Sequence, residues 1–99
     1  MLAPETIATV VLPLDQVPYH QWVTVVDLAR PANVEERALL LRLTEIGFVP
    51  GEAVRVMARG ALGGDPLAVR LGHSTFALRR REAALVRVAA RDSLEVAHD

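Results

Sequence analysis

Residues Leu39 to Arg59 read LLLRLTEIGFVPGEAVRVMAR, and within them the apolar period changes from about 3.6 residues to 2. Before Gly47, the residues Leu39, Leu43 and Ile46 recur at helical spacing. After Gly51, Val54, Val56 and Ala58 recur at every second position. The change is made across Gly47 and the pair Pro50-Gly51. Gly47 has no Cβ to clash, so it can take a positive φ and close a helix. Pro50-Gly51 suits the central positions of a type II turn, where proline presets the first φ and glycine accepts a positive second one. Helix, turn and strand are therefore specified in that order.

Working upstream, Arg30-Pro31-Ala32-Asn33 ends a strand expected over Val23 to Leu28. Asn33 can cap the next helix, and Glu36 three residues on completes a capping-box-like pair. The helix is expected from about Val34 to Ile46. Leu39, Leu43 and Ile46 face the core with Leu40 at the edge, while Val34, Ala38, Leu41 and Glu45 lie opposite. Leu41 is thus an apolar residue where water is expected. Leu14 to Pro18 reads as a short helical turn with Leu14 and Val17 inward. Residues 1 to 12 read as an arm, in which Thr6 to Val11 has strand propensity but no evident pairing partner.

Working downstream, Val54, Val56 and Ala58 are expected inward, with Arg55, Met57 and Arg59 outward. Gly60 to Pro66 carries three glycines and reads as a loop. Leu67, Val69 and Leu71 then point inward, Gly72-His73-Ser74 makes a tight hairpin turn, and Phe76 and Leu78 face the core. Arg81 to Leu85 fits one helical turn, Val86 and Val88 open a last strand, and residues 91 to 99 form a polar tail. Five short strands with one amphipathic helix inserted after the first predict a mainly β domain over residues 13 to 90. Closure into a small bent barrel is expected, because closure removes exposed sheet edges.

The 99 residues make one domain, and 52% of them are hydrophobic. Only Tyr19, Trp22, Phe48 and Phe76 are aromatic, so Ala, Val and Leu must fill the core. With no cysteine there are no disulfides, thiolate ligands or cysteine nucleophiles. A net charge of −1 gives no general affinity for nucleic acid or anionic membranes. The N-terminus lacks a basic signal region, and its apolar run is too short to span a bilayer, so a cytoplasmic protein is expected.

Three separated segments resemble one family. Leu43-Thr44-Glu45-Ile46-Gly47-Phe48-Val49-Pro50-Gly51 resembles the L-x-E-[LM]-G-[FLI]-x-P-G signature of the ferrous iron transport protein A (FeoA) family. Ala61-Leu62-Gly63-Gly64-Asp65-Pro66-Leu67 is similar to its A-P-L-G-G-D-P-L loop, departing near its start where the family carries a proline. Phe76-Ala77-Leu78-Arg79-Arg80 with Glu82-Ala83 is similar to its L-A-L-R-R-x-E-A segment. The resemblance spans roughly Leu14 to Val88. It implies an SH3-like barrel and a non-enzymatic accessory protein of bacterial ferrous iron uptake. The implied partner is the membrane transporter FeoB, whose cytoplasmic part includes a GTP-binding domain. Similar SH3-like domains end the iron-dependent repressors, so a regulatory module is the alternative. That reading needs a DNA-binding helix-turn-helix, and this sequence has one long helix and no basic recognition helix.

Residue chemistry offers no catalytic constellation and no cofactor site. His20, His73 and His98 are far apart and lack a helical i, i+4 partner. Glu5, Asp15, Asp27, Glu45 and Asp65 show no pairing suited to acid–base work. His20, Glu52 and His73 come nearest to a metal-ligand set, one that two molecules would have to share; ordinary surface side chains are the plainer reading. The glycine-rich loop lacks the Gly-Lys-Ser/Thr ending of a phosphate loop. Arg79-Arg80-Arg81 is either solvated surface or an arginine offered to a nucleotide pocket in trans. Val34, Ala38, Leu41 and Glu45, with Arg79 and Arg80, are the candidate surface for the transporter or for a second copy of the chain. The plainer alternative covers Leu41 with the N-terminal arm, through Ile7 and Val10.

Overall fold

The structure, a computed structural model, describes residues 10 to 90. The expectations placed on Ile7 and on the polar tail lie outside the described residues. In chain order the elements are β1 (Val11–Pro13), a 3₁₀ turn (Leu14–Gln16), β2 (Trp22–Leu28), α1 (Val34–Ile46), β3 (Ala53–Leu62), β4 (Asp65–Leu71), β5 (Ser74–Leu78), α2 (Arg80–Ala83) and β6 (Val86–Ala90).

The helix has the bounds that its caps dictate. Glu36 N–H donates to Asn33 Oδ1 at 2.8 Å, and Glu36 Oε1 accepts from Ala32 N–H at 2.9 Å. At the other end, Gly47 N–H reaches Thr44 O at 3.1 Å and Phe48 N–H reaches Leu43 O at 3.0 Å. This is the Schellman pattern, and Gly47 supplies its positive φ of 126°. Glu52 N–H then closes a turn onto Val49 O at 3.1 Å, with Gly51 at φ 96° as the turn type requires.

All strand pairs are antiparallel, and one sheet runs β1-β6-β2-β3-β4-β5. It is not closed into a barrel, and the helix follows the second strand rather than the first. The physical reason is β1. Val11 pairs with Ala89, Leu12 with Val88 and Pro13 with Arg87, so the outer edge of β6 is occupied and is not open to β5. The sheet curls instead through bulges in β2 and β3. Around it lies a core of Val, Leu and one phenylalanine, with Leu14, Phe48, Val54, Val56, Val69 and Val88 all fully buried.

Three expectations need correction. Helix α1 is rolled so that Leu40 and Leu43 are buried while Leu39 and Ile46 are only half-buried. Gly60 to Pro66 is not a loop, because β3 continues to Leu62 and a two-residue turn at Gly63-Gly64 leads straight into β4. Positive φ at both glycines, 66° and 80°, fits the mirror-image turn that tight hairpins prefer. Finally, Val56 faces Val69 while Ala58 faces Ala68, so Met57 is an extra residue. That bulge inverts the alternation. Ala58 is exposed, and Arg59 lies opposite the buried Leu67.

Gly47→Ala tests the helix closure. A Cβ there would meet Leu71 Cδ2 at 3.3 Å and would sit at a φ that L residues avoid. Stability is expected to fall by about 1 kcal/mol or more, lowering the melting temperature by roughly 4–8 °C. An unchanged melt would show that the helix does not end this way.

Candidate functional site

The helix face named from sequence is solvent-facing. Val34 is 80% exposed and Leu41 60% exposed, and Ala38 and Glu45 are exposed beside them. Val10, one of the two residues expected to cover Leu41, is itself 66% exposed and provides no such cover. An apolar strip on a 13-residue helix therefore lies open among the described residues, with Glu45 at its rim.

The arginine run lies on a second surface. Arg80–Ala83 forms a single turn, held because Glu82 Oε1 accepts from Arg79 N–H at 2.8 Å. The Glu82 side chain is buried, and its other oxygen lies 3.4 Å from Arg42 Nη1, which ties this turn to α1. Arg80 N–H donates to Asp65 Oδ1 at 2.8 Å, and its Nη1 donates to Gly63 O at 3.1 Å. Its Nη2 also lies 3.9 Å from Asp15 Oδ2. Arg80 is thus engaged in holding the β3–β4 hairpin tip and the 3₁₀ turn together. Among the described residues, Arg79 and Arg81 have no ion-pair partner. They line, with Asp15, Asp65, Arg80 and Ala84, an open hollow of about 590 Å³. The sequence reading named the whole run but placed only Arg79 and Arg80 on the candidate partner surface, because a charge run does not show which of its members the fold will engage.

The metal candidates are not gathered. His20 sits before β2 with φ 64°, its N–H bonded to Val56 O and its carbonyl taking Arg55 Nε–H at 3.0 Å. Glu52 lines a hollow of about 350 Å³ beside the turn that carries His73. No group of three potential His, Asp or Glu ligands converges among the described residues. No described helix is long and apolar enough to cross a membrane.

Such a fold, a small SH3-like antiparallel sheet carrying one helix, is that of a compact accessory or regulatory domain. The chain belongs to the FeoA family, which is linked to ferrous iron transport: the FeoA domain matches residues 12–90. Among solved structures it is similar to FeoA of Stenotrophomonas maltophilia, at 39% identity and a TM-score of 0.69, over 83% of this chain and 93% of that one. That protein was crystallised with zinc and is described as a prokaryotic SH3-domain protein proposed to activate ferrous iron transport. Iron(II) transport protein A of Clostridium thermocellum is 28% identical with a TM-score of 0.66, over 80% of this chain and 45% of that one. A manganese-dependent transcriptional repressor shares the fold at 20% identity and a TM-score of 0.70, over 84% of this chain and 43% of that one. No curated protein matches by sequence.

The ligand positions generate a prediction about iron. Tag-free monomer should bind ferrous iron no more tightly than any histidine-bearing surface. Titration calorimetry under anaerobic conditions checks this, and one stoichiometric high-affinity site in the monomer would overturn it. Zinc held only between two copies would be consistent with it.

Proposed function

We propose that this chain is a non-enzymatic cytoplasmic accessory protein of ferrous iron uptake, which docks on the cytoplasmic region of the transporter FeoB and modulates it. The observation that carries the reading is the FeoA match across residues 12–90. The exposed Val34, Ala38 and Leu41 support it, since an apolar strip with a polar rim is a surface suited to a protein partner. The repressor likeness is below the identity at which function follows fold, so it supports the architecture alone.

Leu41→Asp tests the docking surface. With the helix face in the interface, an unpaired charge would be buried there. Affinity for the purified FeoB cytoplasmic region should fall by about 3 kcal/mol, roughly a hundredfold. The melting temperature of the free protein should hardly change, because the side chain is 60% exposed. Binding and melting that both stay as in the wild type would exclude this face.

A further inference from the structure

The open sheet ends on β5, and this edge is unlike the other. β1 is three residues long and includes Pro13, a residue that blunts pairing. β5 reads Ser74-Thr75-Phe76-Ala77-Leu78, with neither charge nor proline. A two-residue turn joins Leu71 to Ser74, so Leu71/Ser74, Val69/Phe76 and Leu67/Leu78 are the pairs that exchange hydrogen bonds with β4. Thr75 and Ala77 therefore aim their N–H and C=O groups away from β4. Among the described residues no strand lies on that side to receive them. Two donors and two acceptors project along an uncharged edge.

Hollows flank this edge on both faces of the sheet. On the outer face, Ala58, Pro66, Ala68, Thr75 and Ala77 line one of about 380 Å³ that is mostly apolar. On the helix side, Ile46, Val49, Leu71 and Phe76 line the one of about 350 Å³, with Glu52 beside them. Consecutive side chains of an added strand point to opposite faces, so one would enter each hollow. Just beyond Leu78 stand Arg79 and Arg81, neither of which has an ion-pair partner among the described residues. Main-chain groups, alternate-face hollows and a cationic end all align along one edge.

We propose that β5 receives an extended segment of a partner protein as a seventh strand, apolar at the positions that enter the two hollows and acidic at the end facing Arg79 and Arg81. This deepens the docking reading above and rests on it. A second copy of this chain is a poorer occupant. Paired two-fold through Thr75 and Ala77, it would set Arg79 of each copy opposite His73 of the other rather than opposite an acidic residue of the added strand.

The test titrates purified FeoB cytoplasmic region with wild type and with Ala77→Pro. Proline removes an outward N–H that the β4 ladder does not use, and an edge strand tolerates it. The variant is expected to melt like wild type and to bind at least tenfold more weakly. In wild type, amide exchange at Thr75 and Ala77 should be fast in the free protein and slowed in the complex, a readout independent of how the variant folds. Equal affinity of a folded Ala77→Pro variant, or unslowed exchange at both amides in the complex, overturns the proposal. Binding lost in Leu41→Asp but kept in Ala77→Pro would sink the edge alone and leave the docking reading. Wild type that does not bind FeoB would sink both. Self-association without FeoB that Ala77→Pro abolishes would give the edge to a second copy instead.

Discussion

Two backbone N–H groups, those of Gly47 and Phe48, fold back onto the last turn of α1, and the path they impose connects the helix to the sheet. A 13-residue helix is marginal by itself, so it depends on what its end is fastened to. The fastening is the turn that follows. Gly51 N–H donates to Val25 O at 2.8 Å, and Val25 N–H donates to Glu52 O at 2.8 Å, so the turn becomes part of β2. Phe48, fully buried at the centre, meets Phe76 edge-to-face at 6.2 Å between centroids. Burying a side chain of that size contributes about 1.5–3 kcal/mol. One closure thus sets the helix axis, the start of β3 and the support behind β5.

A second constraint acts from the other side of the molecule. The bulge at Met57 brings Arg59 to the core side, where its guanidinium donates to Asp15 O at 2.9 Å and to Val17 O. These carbonyls belong to the 3₁₀ turn and its cap, whose Leu14 and Val17 are fully buried. Hydrogen bonds from a charged donor are worth about 1.5–3 kcal/mol each when partly buried. Arg59 also lies 5.4 Å from the Tyr19 ring centroid, within cation–π reach. The turn before β2 is therefore held by a residue some forty positions later, which no local pattern announces.

That contrast explains what was legible in the sequence. The bounds of α1, the Asn33 cap, the Gly47 closure and the Pro50-Gly51 turn were legible because each depends on residues within a few positions. Long-range pairing was not. Nothing in Val11-Leu12-Pro13 names Val88 as a partner, and without β1 the strands count out to a closed barrel. Strict alternation placed Ala58 inward and Arg59 outward, and one inserted residue reversed both. At the candidate surfaces, the exposure of Leu41 followed from helical phase. The division of labour among Arg79, Arg80 and Arg81 did not, since it depends on Asp65, Gly63 and Asp15 arriving from other elements.

The open edge follows from the same arrangement. With β1 on the outer side of β6, the sheet cannot remove both edges by closure, and among the described residues no strand covers β5. Packing does not require β5 to be uncharged. Thr75 and Ala77 are exposed, and a lysine at either would leave Phe76 and Leu78 where they are while protecting the edge from chance pairing. Core demands therefore explain Phe76 and Leu78 but not the neutral residues between and before them. An edge with main-chain groups unpaired among the described residues and a hollow on each face is suited to a strand that arrives from outside, and on the proposal above the arginines at its end would favour an acidic one. Gly47 and Phe48 hold that edge in place through Phe76, so the closure that organises the fold also shapes the surface it offers to a partner.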